Sequence, residues 1–437
     1  MAKKKNPGLL NVFMNGKRVG RLEKNSPANT LFQYDKEWLA WDFAISISMS
    51  LPLRENAYSG DNVQRFFENL LPDSEPIRRQ IAARVGAAGF DFYSLLEKIG
   101  RDCVGALQIV PEEDVVSTNG QIEGTLISDE QVETIIKSLT FAPLGNSQDN
   151  GFRISLAGAQ EKTALTRISD RWYLPAGTTP TTHILKPQIG KWTTADGVID
   201  MSQSVENEYY CMKLVAAFGL TVATADIQDF GDQRVLVVER FDRQIVSDGR
   251  LIRLPQEDLC QALGFSPNQK YQSMGGPSAV DILKFLGASD VPDHDQRTFF
   301  KSQILFWLIG ATDGHAKNFS LALTSGGGFR LEPLYDILTV QHGVDANQIR
   351  HKDFQLAMSV GKSKYYRLDA VSGRHFRETG MAAGLSTVLV QEIFDDVIAN
   401  FDSAFTTIYT RLPANFPESL HLSVKTAAIK RLKSLMT

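Results

Sequence analysis

Hydrophobic residues in this chain change their spacing once, near Phe241, and that change limits the folds open to it. Between Phe152 and Phe241 the stretches FRISLAG, EKTALTRI, RWYLP, THILKP, TADIQDF and QRVLVVERF alternate apolar and polar residues, the period of half-buried strands. One interruption, SVENEYYCMKLVAAFG, reads as a helix whose terminal Gly219 supplies the C-cap. Beyond Phe241, PSAVDILKFLG, DQRTFFKSQILFWLIG and LSTVLVQEIFDDVIANFDSAFTTIYTRL place apolar residues at helical spacing. A sheet-rich lobe followed by a helical lobe is therefore predicted. Upstream, Leu9 to about Ile109 mixes short alternating runs such as AISISMSLPL with one helical stretch, VQRFFENLLPDSEPIRRQIAARVG. Residues 111–150 are polar and turn-rich, which suits a boundary. The predicted division is an N-terminal α+β subdomain over 1–145, a sheet-rich lobe over 146–245 and a helical lobe over 246–437. A chain of 437 residues has the length for two or three such units.

A net charge of -4 and a pI near 6.0 provide no general field to attract nucleic acid or a membrane surface. Cys103, Cys211 and Cys260 are odd in number and far apart, which argues for a reducing compartment and against a disulfide framework or zinc motif. The opening MAKKKNPGLLNVFMNG reaches Asn11 and Asn15 before a signal-peptide core forms, and ILFWLIGA is far short of the ~20 residues that span a bilayer. A cytoplasmic location with no membrane insertion is expected. His183, His294, His342, His351, His375 and His421 show no metal-ligand spacing.

The densest chemistry lies in LFWLIGATDGHAKNFSLALT, residues 305–324, where Asp313, His315, Lys317 and Asn318 fall within six positions after an apolar helix. Phe300, Ile304, Trp307 and Leu308 follow the spacing of a buried helical face, so the loop starts from a rigid platform. Phe319, Leu321 and Leu323 then alternate with polar or small residues, and FRLEPLYD follows the glycines Gly326, Gly327 and Gly328, which reads as a hairpin. With the turn centred on Gly327, Asn318 faces Asp336 across the strands. Opposed side chains are about 5 Å apart at Cβ, close enough to share a divalent cation through two oxygens, a donor set suited to Mg2+. The order D-x-x-x-x-N, hairpin, D is that of phosphoryl-transfer sites, in which one carboxylate deprotonates a hydroxyl and two later residues hold metal. Asp and Asn also populate ordinary turns through bonds to backbone, so the motif needs support from elsewhere.

That support comes from the sheet-rich lobe. Lys186 ends the strand THILKP and has the charge to neutralise nucleotide phosphates, with Glu206 and Glu208 on the next helix as partners; a solvated edge lysine is the other reading. SLAGAQEK, with Ser155, Ala157, Gly158 and Lys162, has the composition of a loop that covers phosphates with backbone N–H groups, although it is neither a Walker A sequence nor a full G-x-G-x-x-G. In VVERFDR the main chain of Glu239, Arg240 and Phe241 is placed to meet an adenine edge; a plain edge strand with surface ions is the alternative. Phosphate loop, lysine, helix, hinge, catalytic loop and metal aspartate follow one another in the order a kinase requires.

Together these motifs, with NLLPDS, EKIGRDCVGALQIVPE, NEYYCMKLV, LPQEDLCQALG and LYDIL, closely resemble the HipA family of serine/threonine kinase toxins of toxin–antitoxin pairs, over nearly the whole chain. The resemblance implies a two-lobed protein-kinase-like α+β fold with an added N-terminal subdomain. It implies Asp313 as catalytic base, Asn318 and Asp336 as Mg2+ ligands, Lys186 as a phosphate contact, Glu239 to Phe241 as the adenine hinge and Ser155 as the serine modified by the enzyme itself. His315 and Lys317 either assist charge neutralisation or orient the loop. Implied partners are ATP, a protein substrate with a target serine such as an aminoacyl-tRNA synthetase, a helix-turn-helix antitoxin of the HipB type, and operator DNA through the antitoxin complex, where the protein would be nucleoid-associated. ATDGHAKN lacks the arginine that precedes the aspartate in ordinary protein kinases, and YDIL replaces D-F-G, so control by a docked, phosphorylated activation segment is not expected. A small-molecule kinase of aminoglycoside-phosphotransferase type and a catalytically dead co-repressor are the competing readings.

Overall fold

Residues 8–26, 29–114, 116, 122–139, 160–194 and 197–437 are described by the computed structural model. They belong to two units, the first made of Met1–Pro187, Gln228–Asn268 and Leu321–Phe329, the second of Gln188–Ile227, Gln269–Ser320 and Arg330–Thr437.

Two sheets organise the first unit. In the five-stranded one the order is Tyr58–Ser59, Asn29–Tyr34, Lys17–Ser26, Gly8–Met14, Leu107–Pro111, all neighbours antiparallel. Leu10, Val12 and Met14 alternate along their strand and are buried with Leu22, Phe32, Phe66, Phe67, Leu95 and Leu96, which joins strands to helices in one core. Gly20 is required there, because a Cβ would lie 2.3 Å from the Gln33 carbonyl oxygen. The single helix expected over 63–86 is two, Asp61–Glu68 and Glu75–Val85. Pro72 and Pro76 explain the break: neither offers an N–H, and Pro76 fits only the first turn of a new helix.

The second sheet runs Ala225–Phe230, Gln233–Glu239, His183–Pro187, Thr163–Ile168, Arg171–Pro175, Gly124–Ile127. Its last strand, and the helix Asp129–Leu139, come from the stretch expected to be only a polar boundary. Val132, Ile136 and Leu139 recur on one face of that helix and are buried, so the segment belongs to the core.

Between the sheets lies a buried ionic cluster. Asp102 accepts from Arg243 (3.0 Å), Arg253 (3.1 Å) and the N–H and hydroxyl of Thr181 (3.0 and 2.7 Å). Asp242 accepts from Arg240 (3.0 and 2.8 Å) and from the Gly105 amide (2.7 Å). All five charged side chains are at most 5% exposed. Burial alone would raise the Asp102 carboxyl, but Arg243, Arg253 and Arg240 outweigh it and hold the group well below the usual carboxylate range.

Glu257 presents the opposite case. It is fully buried, its Oε1 accepts from the Met49 amide at 2.7 Å, and burial pushes its carboxyl up to about 8, the bond from Met49 only partly offsetting this. From the ordinary value of 4.5 up to about 8 the unfolded chain has released a proton that the folded chain retains, so this group's contribution to stability falls as pH rises through that window. Glu257→Gln keeps an acceptor for Met49 and removes the proton. The melting temperature of the variant, compared with wild type from pH 5 to 9, is expected to gain on wild type steadily up to about pH 8; a constant difference would contradict the assignment.

The second unit is mainly helical: Ser204–Ala217, Ala279–Leu286, Pro292–Ile309, Gln341–Asp345, Gly373–Ala382, Thr387–Tyr409 and Glu418–Leu435. Pro292–Ile309 is its axis, buried on every side from Phe299 onward. It stops at Gly310, whose φ of 73° ends the helix in the left-handed region. From the C-terminal helix Arg431 turns inward and donates to the Leu308 carbonyl at 2.8 Å, a cation on the negative end of the axial helix. Among the described residues no helix is long and apolar enough to cross a membrane.

Candidate active site

Where the axial helix ends, its last turn dictates the loop. Ala311 N–H donates back to the Phe306 carbonyl (2.8 Å) and Val340 N–H to Gly310 (3.1 Å), which fixes the entry. Gly314 must lack a side chain, since a Cβ there would stand 2.5 Å from the Phe306 ring. The chain then folds on itself: His315 N–H reaches the Asp313 carbonyl (2.8 Å), Asn318 N–H the His315 carbonyl (2.9 Å), and the Asn318 amide nitrogen the Asp313 carbonyl (2.7 Å). Asn318 thereby holds the backbone of Asp313 in place. His315, Lys317 and Asn318 are buried, whereas the Asp313 side chain is 53% exposed, the exposure a base needs to meet a substrate hydroxyl. His315 Nε2 lies 3.9 Å from Asp313 Oδ1.

Asp336 arrives from the far side of the hairpin formed by Ser320–Leu323 and Phe329–Leu331. The register differs from the expected one: Thr324 N–H bonds to Gly328 and Glu332 N–H to Ser320, so the turn is centred on Gly326 and the ladder aligns position 318 with Leu334, two residues short of Asp336. Asn318 itself lies in a 3-10 turn, Ala316–Asn318, ahead of the strand. A shift of two preserves the face of the ladder but replaces direct opposition by a diagonal. Tyr335 ties the arms together, its hydroxyl donating to the Lys317 carbonyl (2.8 Å) and pairing with Ser320 Oγ (2.7 Å). Asp336 is half-buried with φ 58°, a conformation Asp tolerates better than most residues. Beyond it, Thr339 exchanges two bonds with the Asn207 amide (2.9 and 2.7 Å) on helix Ser204–Ala217, and its hydroxyl bonds to Ile309 (2.6 Å). Sequence reasoning missed Asn207; its signal is a polar side chain inside the buried run NEYYCMKLV.

Of the remaining candidates, Glu206 and Glu208 belong to the second unit and the others to the first. Lys186 is buried, and its strand lies inside the sheet between Thr163–Ile168 and Gln233–Glu239, with Leu236 opposite; the solvated-edge reading does not hold. Glu206 and Glu208 are buried in the second unit, where Glu206 accepts from Gln188 at 2.7 Å. Lys162 is buried just before its strand, while Ser155, Ala157 and Gly158 lie outside the described residues. Glu239 pairs with His183 and is exposed. Arg240 sends its side chain into the ionic cluster and its N–H to the Thr182 carbonyl (2.8 Å), so Arg240, Asp242 and Arg243 of VVERFDR are buried while Glu239 is on the surface.

A buried, strand-borne lysine in the first unit and, in the second, an exposed aspartate followed by Asn318 and Asp336 keep the order of residues along the chain that phosphoryl-transfer enzymes of the protein-kinase class use. Comparison with known proteins agrees. Residues 154–405 match the HipA-like C-terminal domain and residues 10–110 the HipA N-terminal domain. The candidate kinase Y4mE of Sinorhizobium fredii is 35% identical over 358 residues, 81% of this chain and of that one. The serine/threonine-protein kinase toxin HipA of Shewanella oneidensis is 29% identical over 364 residues, 80% of this chain and 78% of that one. The solved complex of Shewanella oneidensis HipA with HipB and its operator DNA has the same fold, with a TM-score of 0.79 at 23% identity over 98% of both chains. The chain belongs to the HipA family of kinases. Its fold is the two-lobed, kinase-like α+β architecture with an added N-terminal subdomain.

Proposed function

We propose that the enzyme transfers the γ-phosphoryl group of ATP to a serine hydroxyl of a protein, and that it does so as the toxin of a toxin–antitoxin pair. The observation that carries this reading is the folded 313–318 loop, in which a half-exposed carboxylate precedes an asparagine fixed to its main chain. Among the described residues no group of three or more His, Cys, Asp or Glu could hold a metal ion. A metal beside this loop would take protein oxygens from Asn318 and Asp336 and complete its shell with water and phosphate, a donor set that fits Mg2+. When bound, ATP and its metal supply the phosphoryl group and neutralise its charge.

The chain's own residues do the rest. Asp313 accepts the proton of the serine hydroxyl, Lys186 and Lys162 balance phosphate charge, and His315 and Lys317 support the loop from within. The main chain of Glu239, Arg240 and Phe241 is the adenine contact of this reading, and it is steadied by the Arg240 N–H bond to Thr182. Likeness to the HipA toxin and to the HipA–HipB–operator complex supports the partner reading, in which a HipB-type antitoxin restrains the enzyme and carries it, as co-repressor, to operator DNA. The family resemblance in the sequence alone carries the remaining part: a helix-turn-helix form for that antitoxin, and as target a cytoplasmic translation factor such as an aminoacyl-tRNA synthetase, whose modification arrests growth and yields persistence. Ser155 is the proposed self-modification site; a phosphate there would add roughly -1.5 to -2 charges to a segment this reading assigns to phosphate binding.

Asp336→Asn tests the metal pair. Asn tolerates the left-handed backbone, so the fold should persist, while metal-dependent ATP affinity is expected to fall roughly tenfold or more. Equal ATP affinity of variant and wild type in Mg2+, measured by calorimetry, would contradict the assignment.

A further inference from the structure

A side chain from outside the catalytic loop meets the candidate base. Tyr271, in the stretch QKYQSMGG at 269–276, donates its hydroxyl to Asp313 Oδ1. Its ring stands edge-on to His315, with centroids 4.9 Å and planes 83° apart, and Lys270 Nζ lies 5.6 Å from the ring centre. The backbone around it is tied down at several points. The Lys270 carbonyl accepts from Ala316 N–H (3.3 Å), and the Tyr271 carbonyl accepts from Met274 and Gly276 N–H (3.0 Å each). Gln272 Oε1 accepts from both the N–H and the hydroxyl of Ser359 (2.8 and 3.1 Å) on the strand Gln355–Val360. Gly276 admits no side chain, because a Cβ would fall 1.9 Å from the Gln269 carbonyl. Tyrosine has two side-chain torsions, so a ring seated between an anchored backbone and an imidazole is a stiff support.

A carboxylate on a loop has rotamers to choose from, and a base must present one oxygen to the acceptor. Near-attack geometry is exacting: a displacement of about 1 Å costs on the order of a hundredfold in rate. The Asp313 carboxylate remains half exposed with Tyr271 bonded to it, so the bond orients the group without closing it to a second hydroxyl.

We propose that Tyr271 is a positioning residue for phosphoryl transfer, its hydroxyl holding one oxygen of Asp313 so that the other is presented to the acceptor hydroxyl. The proposal rests on reading Asp313 as the base. Tyr271→Phe removes the hydroxyl and keeps the ring against His315. With ADP release from ATP and Mg2+ as the readout and dephosphorylated casein as acceptor, kcat is expected to fall about tenfold. KM for ATP should change less than about twofold, and the melting temperature should not change. Unchanged or raised kcat would overturn the proposal, the second result marking Tyr271 as an obstruction. A loss of kcat that comes with a lower melting temperature or a matching rise in KM would also overturn it, since a merely structural contact behaves that way. Asp313→Asn run in parallel separates the two layers: near-normal turnover in that variant, or none in wild type, refutes the kinase roles themselves, whereas a dead Asp313→Asn beside a fully active Tyr271→Phe refutes only the role of Tyr271.

Discussion

Asp313→Asn is expected to lower phosphoryl transfer by at least about a hundredfold while leaving ATP affinity close to wild type. The substitution changes one atom type and little volume. The Asn318 amide bonds to the main-chain carbonyl of residue 313, so the loop keeps its fold, and the amide oxygen of the new residue can still accept from Tyr271. Asn318, Asp336 and Lys186 are untouched. What disappears is the only group of the loop proposed to take the serine proton. Transfer measured with labelled ATP, beside calorimetric ATP binding, checks both halves: strong transfer by the variant removes Asp313 from its role, and lost ATP binding would mean that it held metal rather than the proton.

The second large effect is on stability. Asp102→Ala is expected to destabilise the protein by about 3–5 kcal/mol, because it leaves Arg240, Arg243 and Arg253 facing Asp242 alone in a site closed to water. Asp102 also accepts both polar groups of Thr181, which would lose their partner. Asp102 and Gly105 flank the first sheet, Thr181 precedes a strand of the second, and Arg240 to Arg253 follow another; the cluster thus fastens the two sheets within one unit. Asn15 and Arg253 add a reciprocal pair of bonds, 2.8 and 2.9 Å, across the same seam. Urea unfolding followed by tryptophan fluorescence measures the loss; a change below about 1 kcal/mol would show that the cluster relaxes onto water.

Where one local rule decides, the sequence is easy to read. The change from period two to helical spacing near Phe241 predicts the strands Thr163–Ile168, Arg171–Pro175 and Gln233–Glu239 and the helices beyond, and Gly219 and Gly310 mark helix ends through their left-handed backbone. The loop from Asp313 to Asn318 is legible because so many chemical side chains in six positions are rare in a plain turn. What is not legible depends on partners distant in sequence. The hairpin register is set by which glycine takes the turn, and three in a row leave the centre open until Thr324 and Gly328 pair. VVERFDR has an ordinary surface composition; the burial of its Arg240, Asp242 and Arg243 rests on partners distant in sequence, among them Asp102, 138 residues before Arg240. Tyr271 precedes Asp313 by 42 residues, and no spacing rule relates them. The strand Gly124–Ile127 is too short and too exposed to announce itself without its neighbour Arg171–Pro175.

The central claim, that this protein moves phosphate from ATP to a protein serine, is tested most directly by incubating the purified chain with γ-labelled ATP and Mg2+ in a cell extract and hydrolysing the labelled products to their amino acids. Label recovered as phosphoserine from protein, present with the wild type and absent with Asp313→Asn, is the expected result. Label appearing only in a small hydroxylated compound, or no enzyme-dependent label at all, would contradict the claim.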